Sequence, residues 1–192
     1  MKKLFVLFLA VSSIVTVNAQ MVQFGLKAGA NFATLTGSDA SGASTRTSYF
    51  GGALVSIHAL GKFSIQPEVI YSDQGAKATI EDESFTLSQA YINIPVLLKY
   101  NHSSGFFAET GPQFGILVSA NAKQNGVSAD VKSSYNSTDM TWAFGLGYLL
   151  KPVHLGIDAR YNLGLSNIAK DDPNGTVKHS VFQVGVFYLF GK

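Results

Sequence analysis

The sequence predicts an all-β fold, an eight-stranded antiparallel up-and-down transmembrane β-barrel. Three observations predict it. A beat of about ten residues, alternating apolar with small or polar positions, recurs along the chain. The connections between beats alternate between short and long. The last beat, Phe182-Gln-Val-Gly-Val-Phe-Tyr-Leu-Phe190, ends in aromatic residues.

The N-terminus supplies an address. Met1-Lys2-Lys3 is a charged region, Leu4 to Val17 is apolar, and Val17-Asn18-Ala19 is a small-x-small cleavage site. Residues 1–19 are therefore expected to be a cleaved signal peptide, and residues 20–192 the barrel domain. The apolar run is interrupted by Ser12, Ser13 and Thr16 and is short for a membrane-spanning helix. The chain has no cysteine, which removes disulfides and a lipidated-cysteine anchor. Without Lys2 and Lys3, twelve basic residues face twelve acidic ones, scattered rather than striped. That balance argues against a nucleic-acid partner. Apolar residues make up 46% of the chain, yet beyond the signal they come in alternation and not in blocks, as a membrane barrel requires.

The expected strands run Gln23 to Leu35, Tyr49 to Leu60, Phe63 to Ser72, Ala90 to Tyr100, Phe106 to Val118, Asp139 to Leu150, Val153 to Ile168 and Ser180 to Phe190. Glycine-rich alternation and β-branched or aromatic residues support each. Gly61-Lys62, Asn101 to Gly105 and Lys151-Pro152 are tight turns, whereas the segments near 36–48, 73–89, 119–138 and 169–179 are long and polar. Three short periplasmic turns and four longer outer loops are what eight strands with both termini in the periplasm need. Pro67 and Pro95 fall inside strands, and a bulge is expected at each.

Parity assigns the faces. Ile92, Ile94, Val96 and Leu98 oppose Asn93 and Lys99. Met140, Trp142, Phe144, Leu146, Tyr148 and Leu150 oppose Thr141, Ala143, Gly145 and Gly147. Leu155, Ile157, Ala159, Tyr161 and Leu163 oppose His154, Gly156, Asp158, Arg160 and Asn162. The apolar faces should meet lipid. Outward aromatics then sort by strand end into two interfacial girdles. Phe24, Phe63, Tyr100, Phe106, Tyr148, Tyr188 and Phe190 form the periplasmic one; Phe32, Tyr49, Tyr71, Trp142 and Phe182 form the outer one. A β-sandwich core would not sort its aromatics in this way.

Inward parity collects Lys27, Glu68, Lys99, Glu109, Asp158 and Arg160. A small barrel is filled by side chains, and ions in it must pair. Strand adjacency suggests two clusters, Glu68 with Lys99 and Glu109, and Lys27 with Asp158 and Arg160. The matched signs favour a structural lock over a proton or ion path. In the outer loops, Asn125-Gly126 and Asp172-Pro-Asn174-Gly175 are turn signals, and Asp82 within Glu81-Asp-Glu-Ser84 is a third hairpin tip. Strands three to eight are expected to rise past the membrane as a β-fence, and only Gly37 to Ser48 reads as flexible. Free fence edges suit binding of a surface or envelope partner by strand addition. Glu81-Asp82-Glu83 reads as solvated charge, not a metal site.

Catalysis is poorly supported. His179 at the outer rim neighbours Ser180 and is near Asp171 and Asp172. Adjacent strand residues face opposite ways, so His179 and Ser180 should not meet. Gly25-Leu-Lys-Ala-Gly29 and Phe144-Gly-Leu-Gly-Tyr148 are strand glycines, not phosphate loops. No enzyme activity, cofactor or metal is expected.

Phe24-Gly-Leu-Lys-Ala-Gly-Ala-Asn-Phe-Ala-Thr-Leu35 resembles the first strand of the outer membrane protein beta-barrel domain family, also described as porin family or PorT-like. Tyr91-Ile-Asn-Ile-Pro-Val-Leu-Leu-Lys-Tyr100 is similar to its central strand, and Pro95 matches a proline the family carries. Gly111-Pro-Gln-Phe-Gly115, Gly145-Leu-Gly-Tyr148 and Tyr161-Asn-Leu-Gly-Leu165 also match its phrasing. Tyr188-Leu-Phe190 resembles the aromatic signal read by the barrel assembly machinery. The resemblance implies a Gram-negative outer membrane and brings no catalytic residues. The expectation is a non-enzymatic monomer in outer-membrane lipid. A narrow pore for small solutes is the alternative, and a rim enzyme using His179 is a remote one. A soluble lipocalin-like cup is opposed by the signal, the girdles and the C-terminal aromatics.

Overall fold

The computed structural model describes residues 22–38, 40, 42–80, 83–170 and 175–190. The expected signal peptide, and Asp82 and Asn174 among the expected loop tips, lie outside them. Among the described residues nine strands form: β1 Val22–Thr36, β2 Arg46–Leu60, β3 Phe63–Ile80, β4 Glu83–Asn101, β5 Phe106–Gln124, β6 Val127–Asp130, β7 Thr138–Leu150, β8 Leu155–Gly164 and β9 Lys178–Phe190. All pairings are antiparallel, and eight strands close a ring in the order β1-β2-β3-β4-β5-β7-β8-β9. Closure is made by β1 on β9, from Phe24 opposite Phe190 to Thr36 opposite Lys178. A closed ring leaves no unpaired sheet edge within the membrane span. β6 is a spur: it folds back on the top of β5 through Asn125 and Gly126, both at positive φ (48° and 85°). Asn-Gly supplies that conformation at low cost.

Period-two alternation sets the two faces. Along β9, Val181 and Phe187 are buried while Phe182, Val184, Val186 and Tyr188 are exposed. β7 and β8 behave alike, with Met140 to Leu150 and Leu155 to Leu163 presenting their large residues outward. Aromatic pairs gather at the two strand ends. Phe63 with Tyr100 (5.4 Å) and Tyr188 with Phe190 (5.2 Å) lie at the short-turn end. Phe32 with Phe182 (6.3 Å) and Tyr49 with Tyr71 (6.2 Å) lie at the long-loop end. Phe24, Phe106 and Tyr148 are exposed at the short-turn end and Trp142 at the other.

Inward glycines make room for interior rings. A Cβ on Gly156 would run into the Phe187 ring, and one on Gly147 into the Phe107 ring. These two rings meet edge to face, 5.8 Å apart.

Several boundaries differ from expectation. Pro67 and Pro95 sit without a bulge: the ladder skips the residues beside them and resumes in the same register. Proline has no N–H to give, so a ladder bond is omitted while the register is kept. The register shifts come elsewhere, at His58/Leu60 and at Ala90/Tyr91. The second shift leaves Val118 as an extra residue on β5, so Leu117 and Ala120 both turn inward. The rising fence is made by β3, β4, β5 and β6, not by strands three to eight; β7 begins at Thr138 and β8 ends at Gly164. Residues 46–48, expected to be flexible, belong to β2: Arg46 grips Asp73 (2.6 Å) and the Gln74 carbonyl (2.8 Å), and Ser48 donates to the Asp73 carbonyl (2.5 Å). Val153 lies in a 3-10 turn and His154 at φ 54°, so the strand starts only at Leu155.

Candidate functional site

The interior is the candidate site, and it is layered. At the short-turn end Leu54, Phe107, Phe187 and Leu189 form a buried apolar cluster with Leu149 packed against it. Lys99 reaches into this layer. Its Nζ lies 3.5 Å from the Phe107 ring centre and 4.9 Å from that of Phe187, and donates to Gln66 Oε1 (3.2 Å). Cation–π attraction is strongest where water is excluded, as it is here.

Above this layer lie the other charges. Arg160 on β8 donates through Nη1 and Nη2 to both carboxylate oxygens of Glu68 on β3 (2.9 and 2.8 Å). Through Nε and Nη2 it also donates to Glu109 Oε1 on β5 (2.9 and 2.7 Å). Gln66 adds a bond to Glu68 Oε1 (2.7 Å). Lys27 on β1 pairs with Asp158 on β8. All six charged residues are at most 6% exposed. The grouping by adjacent strands is corrected in part, at Lys99 and at the separation into two clusters. Lys27, Asp158 and Arg160 meet as expected, Asp158 lying 3.9 Å from Arg160, but Arg160 also joins Glu68 and Glu109, so the two groups merge into one network, and Lys99 contacts rings and an amide instead of a carboxylate. The bore is narrow enough for a side chain on one wall to reach a counter-charge on the opposite wall, as Arg160 does to Glu68.

An amide layer follows. Asn31 Nδ2 donates to Ser72 Oγ (3.0 Å) and the Asp73 carbonyl (2.6 Å), Gln183 donates to Asn31 (2.7 Å), and Asn162 donates to Gln183 (2.9 Å). At the outer mouth His179 sits fully buried with Nδ1 2.9 Å from Asp139 and Nε2 3.0 Å from Gln89 Oε1. Ser166 donates to Asp139 (2.6 Å), and Tyr91 meets the imidazole edge to face at 5.2 Å. Tyr91, Leu117 and Ala120 pack beneath Val131 and Tyr135. Asn136 ties that loop to the Asn167 and Ala169 carbonyls (3.0 and 3.1 Å). Among the expected loop tips, Asn125 and Gly126 form the β5–β6 turn, Asn125 bonding Glu83 (3.2 Å), while Gly175 is buried and accepts from Asn167 (3.0 Å).

His179 and Ser180 point apart: Ser180 bonds the Tyr161 hydroxyl (2.9 Å), and the hydroxyl beside Asp139 is that of Ser166. No serine is placed on the His179 nitrogens among the described residues. Sequence reasoning missed Asp139, Gln89 and the amide layer. Asp139 carries the inward parity of its own strand and is legible from it, whereas Gln89 falls in a segment whose polarity reads as loop.

The sequence matches the family model for the outer membrane protein beta-barrel domain over residues 18–170. The chain belongs to that family. It is thus a barrel of the outer membrane, with exposed apolar faces against lipid. No curated protein sequence matches it. Among solved structures, Neisserial surface protein A is 15% identical, with a TM-score of 0.54 over 87% of this chain and 97% of that one. The attachment invasion locus protein Ail of Yersinia pestis is 14% identical, with a TM-score of 0.47 over 88% of this chain and 99% of its own. The first of these supports the eight-stranded barrel fold.

Proposed function

We propose that this outer-membrane barrel is a non-enzymatic surface component whose lumen is closed by its own side chains and whose outer hairpins bind a partner. The bridging of Glu68 and Glu109 by Arg160 carries the reading. A guanidinium held on two walls at once joins the barrel across its bore, and neither carboxylate can move without leaving a buried charge unpaired. The apolar layer below and the His179 layer above support closure at both ends. The outer role rests on β6, which among the described residues pairs with β5 alone and offers its other edge to an extended peptide.

Planar-bilayer conductance of the refolded barrel tests closure. Wild type is expected to be silent, and Lys99→Ala, which removes the cation seated in the aromatic layer, is expected to leak. Steady, salt-dependent steps from wild type would overturn the closed lumen and make passage of small solutes the function.

A further inference from the structure

Among the described residues, the turns at the short-turn end of the ring carry charge of one sign. Its three turns are Gly61-Lys62, residues 102–105 and residues 151–154, and none contains Asp or Glu. Lys62, Lys151, His102 and His154 are in these turns, with His58 on the adjoining strand end. The described carboxylates lie in the interior or toward the long-loop end.

The turns are tied into one rim. The Asn101 backbone N–H donates to the Lys62 carbonyl (2.7 Å), and Lys151 Nζ donates to the Ser103 carbonyl (2.8 Å). His102 Nδ1 lies 2.9 Å from Ser104 Oγ. Between the turns opens a cavity of about 250 Å³, lined by His58, Lys62, His102, Ser103 and Lys151 and floored by Leu149. Leu149 itself rests on the apolar cluster that closes this end of the lumen. The Lys62 ammonium has no hydrogen-bond or ion-pair partner among the described residues, and Lys151 uses one of its three donors.

We infer that this cavity binds a phosphate-bearing anion at the periplasmic face. The sign of the rim calls for an anion. Its donors come from three separate turns, so they approach from several directions. That arrangement suits the tetrahedral oxygens of a phosphate better than the two coplanar oxygens of a carboxylate. The volume admits a headgroup-sized fragment, and the apolar floor accepts its carbon side. Two sources share this chemistry, the headgroup of an anionic phospholipid in the inner leaflet and a free phosphorylated solute.

Backbone amide spectra of the refolded full chain in neutral detergent micelles test it. Three probes are titrated separately: sodium phosphate, glycerol 1-phosphate, and phosphatidylglycerol against uncharged diacylglycerol. Saturable shifts confined to residues 61–62, 102–105 and 151 are the expected result. Shifts with phosphatidylglycerol alone identify the lipid source, and shifts with phosphate and glycerol 1-phosphate identify the solute. Lys62→Gln and Lys151→Gln should each weaken binding about fivefold, and together about thirtyfold, as lysines beside an anionic surface do. The single variants serve if the double variant fails to fold, and Lys123→Gln at the opposite end should bind as wild type does. No saturable shift with any probe, or binding unchanged in the lysine variants, would overturn the assignment.

Discussion

Arg160 illustrates how one residue depends on the whole ring. Glu68 on β3 lies four strands away from β8 in the closed order, directly across the bore. Removing the guanidinium leaves two buried carboxylates facing each other, and a loss of about 3–5 kcal/mol is expected for Arg160→Met. Urea titration of the barrel in lipid vesicles measures it. The Lys27–Asp158 pair predicts the opposite pattern. Replacing both members, as Lys27→Met with Asp158→Leu, should cost less than either change alone, because no charge is then left unpaired. Gly156 belongs to the same scale. The three atoms nearest to a Cβ there are all in the Phe187 ring. Gly156→Ala is therefore expected to destabilise by about 1–3 kcal/mol. Adding Phe187→Leu should recover part of that loss, and an unrelieved double variant would show that the ring is not the obstacle.

At the scale of elements, the barrel wall and the fence answer to different rules. Wall strands are fixed by alternation on two chemically opposed faces, since a one-residue slip would turn every lipid-facing side chain inward. The fence of β3 to β6 rises beyond that constraint and relies on turn chemistry. Gly126 at φ 85° holds a left-handed conformation that a β-branched residue adopts poorly. Gly126→Val is expected to loosen the β5–β6 tip and speed its proteolysis, while the heat-modifiable gel shift of the folded barrel stays as in wild type. Loss of that shift would mean that the tip is part of the barrel's folding unit. The prolines show why the presence of a strand was readable while its irregularities were not. Pro67 and Pro95 were visible in the chain, but whether a missing N–H produces a bulge or a skipped bond depends on the neighbouring strands. The shift at Ala90/Tyr91 has no proline to announce it.

For the molecule as a whole, the all-β class, the eight strands of the ring and the outward-facing residues follow from the amino-acid pattern alone. Those properties are local: a period of two needs only the next few residues, and membrane lipid on one side makes the pattern strict. Leu146, Ile157 and Val186 could be assigned outward from their own strands, as could the inward placement of Lys27 and Arg160. Which charges meet, where β8 stops, that residues 46–48 join a strand, and that His179 lies between Asp139 and Gln89 emerge only once the ring is closed. Each of these depends on strand stagger and on side chains spanning the bore. Such contacts join residues as far apart as Glu68 and Arg160, and no local periodicity encodes that distance.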